Sequence, residues 1–566
     1  MQINSWAALL IDQLVQQGVT YYCIAPGSRS TPLALAIAAH PNTKTVIHFD
    51  ERGVAFHALG FAKASGEPAA VVVTSGTAVG NLLPSIMEAS QSFIPILLLT
   101  ADRPPELRDC GANQTIDQTK IFTPFVRWQT ELPCPEPSLS ANYLRSTIAQ
   151  AIFRMRDTPK GPVHINCLFR EPLTSEEALI HSLAPSYYGA TFRTPYPEVL
   201  VEWASLFNRV NKGVIIVGSL PYPFPLKAIY LLSEKLKWPI FPDVTSGLRS
   251  QGIQGNVIAY YDLVLKQVDS IKPDAILHLG DRIVSKTVQT WLKNCSSTLH
   301  FSVSDHPFRQ DPQHRVTHRL ACSPSLFCDQ IMPYLSNQDS LDWLQRWQQY
   351  SQNIETSLQL AQFVTESITE PSITETLNSV PEDWGIFLAN SMPIRDADLF
   401  LFPKDPIAPI FANRGVSGID GNIATAIGIA QGLQKPVVAL LGDQTTLHDL
   451  NSLAQLKKSL YPVIFVIINN KGGGIFSFLP EISEKKCFEA FFAGSHDFSF
   501  VKAAELFTIP YYHPLYLSEY LTIFHACLEN KKSCMIEVVT QRSENLLLHQ
   551  SFYEVNRCSL IPLLAR

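Results

Sequence analysis

Residues 437–443 read Val-Val-Ala-Leu-Leu-Gly-Asp, an apolar run that ends in a carboxylate. A second apolar run, from Val463 to Ile468, ends in the amides of Asn469 and Asn470. In the segment between them, LHDLNSLAQLKKSL, apolar residues recur at helical spacing. A strand, a helix and a second strand in this order form a βαβ unit, in which the two strands are parallel. The stretch therefore predicts an α/β domain with a parallel sheet.

Asp443 and Asn470 follow the two predicted strands directly. The carboxyl ends of parallel strands meet at one edge of the sheet, where open α/β folds bind ligands. Carboxylate and amide oxygens suit Mg²⁺, which often shares its oxygen ligands with a diphosphate. Gly472 and Gly473 let the backbone approach such a ligand, and Gly472 can supply a carbonyl. The pattern predicts a metal and diphosphate site, although an ordinary strand-to-loop transition explains Gly442-Asp443 equally well.

A second strand edge with acidic residues lies near the N-terminus. Thr45 to Phe49 reads as a strand, and Asp50-Glu51-Arg52 leads into a helical segment from Gly53 to Gly66. Glu51 therefore lies at a strand–helix junction, which is often a functional edge. An acid at a helix start also complements the helix dipole, so a structural role stays open at this point.

Strand and helix signals alternate along three blocks of the chain. They predict three doubly wound parallel-sheet domains, at residues 1–185, 186–350 and 351–566. A Tyr- and Pro-containing stretch, SLAPSYYGATFRTPYPE, is expected to link the first two, and a Gln-rich helical passage from Leu341 to Phe363 leads to the third. The middle block has no Gly-x-Gly-x-x-Gly motif, so a dinucleotide there is unsupported.

A length of 566 residues with 46% hydrophobic and 17% charged residues agrees with a large soluble protein that has several full cores. The net charge of −6 and the absence of a long basic run give no reason to expect nucleic acid or an acidic membrane surface. No apolar stretch approaches the roughly 18 residues that a membrane-spanning helix needs, and no cleavable signal opens the sequence. The eleven cysteines form no Cys-x-x-Cys pair, which favours reduced thiols and a cytoplasmic location.

Six ordered segments resemble those of one enzyme family. They are Ala25–Pro32, Asp50–Arg52, Thr74–Ala78, Thr100–Pro104, Gly111–Gln114 and Asn413–Gly421. With Gly442-Asp443 and Asn469-Asn470, they are similar to the 2-succinyl-5-enolpyruvyl-6-hydroxy-3-cyclohexene-1-carboxylate synthases, thiamine-diphosphate enzymes of menaquinone and phylloquinone biosynthesis. The likeness is strong at both ends of the chain and weaker between about residues 180 and 380.

The resemblance implies a thiamine-diphosphate-binding fold, with a pyrimidine-binding first domain, a Rossmann-like central domain and a diphosphate-binding third domain. It implies that 2-oxoglutarate is decarboxylated and that the resulting succinyl unit undergoes 1,4-addition to isochorismate. Glu51 is then the catalytic acid that hydrogen-bonds the pyrimidine N1′ of the cofactor. Mg²⁺ is the expected metal, with Mn²⁺ as an alternative. The family also implies a homodimer or homotetramer with sites at the subunit interface.

The same resemblance assigns further site residues. Substrate-binding groups are expected at Ser28, Arg29, Arg103, Gln114, Lys286, Ser391, Arg395 and Arg414. Cofactor-binding groups are expected at Glu51, Asn390, Ile419, Asp443, Asn470, Gly472, Gly473, Phe476 and Leu479, and the metal ligands at Asp443, Asn470 and Gly472. Arginine suits these substrates because its guanidinium binds carboxylates in a bidentate manner. The family generally has Arg after the lysine, whereas Thr287 follows Lys286 here.

Two alternatives stay open. An acetolactate-synthase-type enzyme or a simple 2-oxoacid decarboxylase would carry the same Glu and Gly-Asp…Asn-Asn motifs, but it would need fewer carboxylate-binding arginines. A non-catalytic diphosphate-binding relative would have no need of Glu51.

Overall fold

The computed structural model describes residues 3–174, 183–191, 193–267, 271–295, 298–337, 341–362 and 366–564. Residues 182 and 192 of the predicted linker, and Phe363 of the Gln-rich passage, lie outside the described residues. Three parallel sheets, each accompanied by helices, organise the chain. They confirm the predicted parallel α/β fold class.

The first sheet has the strand order β2-β1-β3-β4-β6-β5. Its strands are β1 (Tyr21–Ile24), β2 (Lys44–Ile47), β3 (Ala69–Val73), β4 (Ile96–Asp102), β5 (Trp128–Leu132) and β6 (Val163–Leu168). The accompanying helices are α1 (Ile3–Gln16), α2 (Thr31–Ala39), α3 (Glu51–Ser65), α4 (Thr77–Gly80), α5 (Leu83–Gln91) and α6 (Ala141–Arg156), with a 3₁₀ turn at Pro105–Leu107.

The second sheet has the strand order β11-β10-β9-β7-β8. Its strands are β7 (Gly213–Val217), β8 (Ile240–Pro242), β9 (Ala275–Leu279), β10 (Leu299–Ser304) and β11 (His318–Ala321). Its helices are α7 (Pro197–Phe207), α8 (Lys227–Leu236), α9 (Tyr261–Gln267), α10 (Lys286–Asn294), α11 (Pro324–Ile331) and α12 (Asp342–Gln362), with 3₁₀ turns at Arg249–Gln251 and Met332–Tyr334.

The third sheet has the strand order β13-β12-β14-β15-β17-β16. Its strands are β12 (Gly385–Leu388), β13 (Ile410–Ala412), β14 (Val437–Gly442), β15 (Val463–Asn469), β16 (Tyr511–Tyr512) and β17 (Cys534–Val539). The helices are α13 (Glu370–Thr376), α14 (Met392–Phe400), α15 (Asn422–Leu433), α16 (Asp443–His448), α17 (Pro480–Ser483), α18 (Val501–Phe507), α19 (Leu517–Asn530) and α20 (Arg542–Leu564). Shorter 3₁₀ segments lie at Leu377–Ser379, Leu450–Lys458 and Gly474–Phe478, and a π-helical turn lies at Glu489–Ala493.

Alternate residues of the first sheet are buried on opposite faces. Val72 and Leu99 pack in the core that includes α1 and α6, whereas Val71 and Leu98 pack in the core that includes α3 and α5. This alternation follows from the two-residue period of a strand. Both faces of the sheet are covered at its centre, so β3 is apolar and buried along its whole length.

The chain divides into two compact units. The first comprises Met1–Thr191, Asn413–Val437 and Thr445–Val463, and the second comprises Phe192–Ala412, Val438–Gln444 and Ile464–Arg566. Segments on both sides of Asp443 thus group with the N-terminal sheet, which the sequence pattern did not indicate. The domain boundaries at 185/186 and 350/351 stay a prediction.

The segment between β14 and β15 differs from the single regular helix that its spacing predicts. It forms the short α16 and then a 3₁₀ helix, with a break at Asp449. The buried Asp449 carboxylate accepts hydrogen bonds from the Ala424 amide at 2.9 Å and the Ser452 hydroxyl at 2.7 Å. Burial raises its pKa to about 6. These tertiary contacts hold the chain at the break and override the helical pattern.

Helices α3 and α15 cross within the first unit at very short range. A Cβ added at Gly60 would lie 2.1 Å from the Thr425 carbonyl oxygen, and one added at Gly428 would lie 2.1 Å from the His57 carbonyl oxygen. Both distances are far below van der Waals contact. The two backbones can approach this closely only because each helix has a glycine at the crossing.

We expect Gly428→Ala to destabilise the protein by roughly 1–3 kcal/mol, because the added methyl group forces the two helices apart. Urea unfolding followed by circular dichroism would measure the change. Gly80→Ala is the matched control, since a Cβ there meets nothing within 4 Å and the residue is helical. Equal midpoints for the two variants would contradict the prediction.

Candidate active site

Glu51 is the first residue of α3, where Asp50 caps the helix. The Asp50 carboxylate accepts hydrogen bonds from the amides of Arg52 at 3.0 Å and Gly53 at 3.3 Å, as an N-cap residue does. Asp50 therefore provides the cap, and the Glu51 side chain is left for another use. Glu51 is half-buried, and its Oε2 accepts a 3.3 Å hydrogen bond from Asn81 Nδ2.

Arg29 and Arg103 follow β1 and β4 at the carboxyl edge of the first sheet. Arg29 is buried and donates to the Phe169 carbonyl at 3.1 Å and to Glu171 at 3.0 Å. Burial, followed by the charge of Arg29, lowers the pKa of Arg103. Both arginines thus lie at the same sheet edge, where Glu171 already pairs with Arg29 and a further carboxylate would be attracted by the positive charge.

Ser75 joins Arg103 and Gln114 at this edge. Arg103 donates to its hydroxyl, and Gln114 Nε2 donates to its carbonyl at 2.9 Å. Gln114 is exposed and has φ of 56°, in the left-handed region. Ser28, also exposed, lies in the loop after β1 beside Arg29. The first unit therefore gathers Glu51, Ser28, Arg29, Arg103 and Gln114 on its sheet edge, and it also holds Arg414 and Ile419, both half-buried.

Asp443 and Asn470 directly follow the neighbouring strands β14 and β15, at the carboxyl edge of the third sheet. Both side chains are buried. The Asp443 carboxylate accepts hydrogen bonds from the Gln444 amide at 2.6 Å and from the Gly472 amide at 2.8 Å. The Nε2 atom of His496 lies 3.3 Å from Asp443 Oδ2. Burial raises the pKa of Asp443.

The Asn470 amide has a fixed orientation. Its Nδ2 donates to Glu370 Oε1 at 2.9 Å, and the same Glu370 oxygen accepts from Thr540 at 3.2 Å. Asn470 Oδ1 is buried and has no hydrogen-bond partner among the residues that the structure describes. A buried amide oxygen without a partner is costly, and a cation at this point would satisfy it. The residues present therefore fit a hard divalent ion.

Gly472 and Gly473 form the loop beside these ligands. Gly472 has φ of 142°, which favours glycine, and a Cβ there would lie 2.6 Å from the Ala493 carbonyl oxygen. The Gly473 amide donates to that same carbonyl at 2.6 Å. No cluster of three or more His, Cys, Asp or Glu side chains that could hold a metal occurs in the described part of the chain. The predicted ligand set has one carboxylate, one amide and one backbone carbonyl, so it falls outside that class.

Arg395 and Ser391 lie at the start of α14 in the second unit. Ser391 has φ of 74°, strained for a residue with a side chain. Arg395 donates to the Ser391 carbonyl. Asn390, directly before them, is buried. Phe476 and Leu479 are half-buried, and the Phe476 ring lies 6.3 Å from that of Phe492.

Lys286 is exposed as the first residue of α10, and Thr287 has a structural partner. The side chains of Ser285 and Thr287 both hydrogen-bond the buried Asp262 carboxylate, whose pKa burial raises. An arginine at position 287 would remove one of these donors. The departure from the family pattern thus accompanies a local hydrogen-bond arrangement that uses the threonine.

Glu370 is a site residue that sequence analysis missed. Burial, followed by the charge of Asp396, raises its pKa to about 8. The residue lies 100 positions before Asn470, and the sequence around it reads only as a helix start. Thr369 forms a capping box with Ser372 there. An orienting role for its carboxyl group becomes visible only when the third sheet is assembled.

Three family models match the chain. The model described as "Thiamine pyrophosphate enzyme, N-terminal TPP binding domain" matches residues 4–121. The "Middle domain of thiamine pyrophosphate" matches 190–388, and the "Thiamine pyrophosphate enzyme, C-terminal TPP binding domain" matches 402–538. A solved structure of benzoylformate decarboxylase from Polynucleobacter necessarius has a similar fold, with a TM-score of 0.74 at 16% identity over 95% of this chain and 99% of that one. The fold and these matches define a thiamine-diphosphate-dependent enzyme.

Relatives of known name are similar over nearly the whole length. The 2-succinyl-5-enolpyruvyl-6-hydroxy-3-cyclohexene-1-carboxylate synthase of Rubrobacter xylanophilus is 41% identical, across 96% of this chain and 97% of that protein. The synthase of the same name from Salinibacter ruber is 40% identical, across 96% of this chain and 95% of that protein. The chain belongs to this synthase family, as the resemblance of its motifs predicted. No helix in the described ranges has the length and apolar character needed to cross a membrane.

Proposed function

We propose that the chain decarboxylates 2-oxoglutarate and adds the resulting four-carbon unit to isochorismate in a 1,4 fashion, in menaquinone or phylloquinone biosynthesis. The presence of two arginines, Arg29 and Arg103, at the carboxyl edge of the first sheet carries this proposal, together with the family to which the chain belongs. Both substrates are carboxylates, and paired arginines bind carboxylates with defined geometry. A decarboxylase whose oxoacid substrates have small, uncharged side chains would need fewer carboxylate-binding arginines.

We further propose that Asp443, Asn470 and the Gly472 carbonyl would hold Mg²⁺, or Mn²⁺ in its place, against the cofactor diphosphate. The orphaned Asn470 Oδ1 and the close-packed Gly472 loop support this assignment. Thiamine diphosphate, when bound, supplies the nucleophile and the electron sink that the decarboxylation needs.

The chain's own residues would bind, orient and exclude water. Glu51 would hold a proton at the pyrimidine N1′, where a carboxyl group can exchange it. Arg29, Arg103 and Arg414 would bind substrate carboxylates, as would Arg395 and Lys286. Ser28, Gln114, Asn390 and Ser391 would orient polar groups. Ile419, Phe476 and Leu479 would provide apolar walls, which limit stray protonation of the reacting carbon.

A homodimer or homotetramer in the cytoplasm is part of this proposal. Glu51 and Asp443 belong to different compact units, and the family resemblance implies that one site draws them from two copies of the chain. Sedimentation of the protein with and without thiamine diphosphate would test it. A monomer that is fully active would contradict it.

The function can be tested with purified protein, thiamine diphosphate, Mg²⁺, 2-oxoglutarate and isochorismate. We expect loss of isochorismate and a product whose mass corresponds to the two substrates minus CO₂. Pyruvate offered instead as the oxoacid should give little turnover. Efficient turnover of pyruvate alone would favour an acetolactate-synthase-type enzyme, and no turnover with any oxoacid would favour a non-catalytic relative.

Arg395→Ala and Arg414→Ala should each raise the Michaelis constant (KM) for isochorismate or for the oxoacid substrate, and leave cofactor affinity nearly unchanged. A charged hydrogen bond contributes roughly 1.5–3 kcal/mol, so kcat/KM should fall on the order of ten- to a hundredfold. Steady-state kinetics and calorimetric titration of the cofactor would measure both effects. Arg156→Ala is the control, because Arg156 pairs with Glu67 at the surface. Equal losses for every ligand would assign these arginines to structure.

A further inference from the structure

Arg414 lies in the loop between β13 and α15, and the backbone directly after it is held by one buried carboxylate. Glu88, on α5, is 1% exposed. Its Oε1 accepts from the Gly415 amide at 2.8 Å, and its Oε2 accepts from the Val416 amide at 2.7 Å. Ser92 donates to Oε1 at 2.7 Å. Both carboxylate oxygens are therefore used to hold two consecutive amides of the loop.

The residue before Arg414 is held from α3. Lys63 Nζ donates to Asn413 Oδ1 at 2.8 Å and lies 3.8 Å from Glu88 Oε1. The side-chain Nδ2 of Asn413 in turn donates to Thr425 Oγ1 at 3.0 Å. Burial lowers the pKa of Lys63, and the charge of Glu88 opposes that effect. The buried ion pair thus contacts the chain on both sides of Arg414.

The packing leaves this loop little room to shift. A Cβ added at Gly415 would lie 2.7 Å from the Glu88 carbonyl oxygen and 2.7 Å from Ser92 Oγ. All of these groups belong to the first compact unit. A buried ion pair is weak evidence for stability, because desolvation offsets much of the attraction. The contacts of the Glu88–Lys63 pair with the loop that carries Arg414 indicate a role in holding that loop rather than in overall stability.

We propose that Glu88 and Lys63 are positioning residues, which fix the backbone on both sides of Arg414 so that its guanidinium meets a substrate carboxylate. This inference rests on the proposed function, in which Arg414 binds substrate. A carboxylate is required at position 88 because two N–H groups point at it. An amide could accept from only one of them and would turn its own NH₂ toward the other. Glu88→Gln should therefore displace the loop while removing no atom that touches substrate.

The test is a double-mutant cycle of Glu88→Gln and Arg414→Ala, measured in the full-length holoenzyme. Glu88→Gln should raise KM for the same substrate that Arg414→Ala affects, by about tenfold, since small misplacements of binding groups have effects of this size or larger. The affinity for thiamine diphosphate should stay unchanged, and kcat should change far less than KM. In the Arg414→Ala background, Glu88→Gln should cause no further rise in KM.

The proposal is overturned if the two effects on KM multiply in the double variant, or if Glu88→Gln changes cofactor affinity and both KM values alike. If Glu88→Gln does not fold, Lys63→Met replaces it in the double-mutant cycle. In the Arg414→Ala background, Lys63→Met should likewise cause no further rise in KM. Failure of the proposed function gives a different result, because wild-type protein would then form no product from 2-oxoglutarate and isochorismate. A Glu88→Gln variant with wild-type KM, in an otherwise active enzyme, overturns the positioning role alone.

Discussion

Glu51→Gln is expected to lower turnover by about 10²–10⁴-fold while the protein stays folded and still binds thiamine diphosphate. The amide matches the carboxyl group in size, and it can still accept the hydrogen bond from Asn81. The Asp50 cap of α3 is untouched. An amide cannot exchange a proton with the pyrimidine N1′, so the loss should appear in kcat. Initial rates would measure kcat, and calorimetric titration would measure the affinity for thiamine diphosphate.

Glu67→Gln is the matched control for this prediction. Glu67 is 65% exposed at its side chain and pairs only with Arg156 among the ion pairs of the described residues. The control should keep wild-type turnover. Wild-type turnover in Glu51→Gln itself would remove Glu51 from the mechanism and return it to the role of a helix-start residue.

Asp443→Ala is expected to abolish metal-dependent binding of thiamine diphosphate. The substitution removes the only charged member of the proposed ligand set and also frees the Gly472 amide, which Asp443 holds at 2.8 Å. Loss of a residue that hydrogen-bonds a metal ligand typically lowers metal affinity by about 10–100-fold. Loss of a direct ligand should therefore lower it by more than that. Calorimetry with Mg²⁺ present, and again after chelation, would measure the effect.

Asp497→Ala provides the comparison, because its side chain is 95% exposed and pairs with Lys471 in the same region of the chain. This variant should bind cofactor as the wild type does. Unchanged cofactor affinity in Asp443→Ala, or in wild-type protein after chelation, would show that the predicted metal site is wrong.

The sequence predicted the parallel sheets well because buried strands carry a strong local signal. The run from Val437 to Gly442 is β14, with the same limits as its apolar pattern. Tertiary contacts were not visible in that signal. The helix expected after β14 is broken at Asp449, whose partners include an amide 25 positions earlier. The grouping of α15 with α3 likewise depends on a glycine contact between distant segments.

The residues of the candidate site also fall into two groups, those with a local sequence signal and those without one. Asp443, Asn470 and Glu51 were predicted because each follows a strand, and the arginines because they lie in segments shared with a known family. Glu88 and Glu370 carry no such local mark. Their function depends on partners more than 95 positions away in sequence, and neither helix pattern distinguishes them from ordinary acids. The hydrogen bond between Thr287 and Asp262 could not be predicted for the same reason.

The hydrogen bond between Asn470 and Glu370 also has a consequence for the charge at the proposed metal site. An aspartate in place of Asn470 would lose the N–H that Glu370 Oε1 accepts at 2.9 Å and would bury a second acid beside Glu370, which disfavours it. An amide contributes an oxygen without a charge, so Asp443 would supply the single negative charge of the proposed ligand set. A divalent cation held by that set would keep one net positive charge. The site with its metal bound would then attract a diphosphate more strongly than a neutral thiamine derivative.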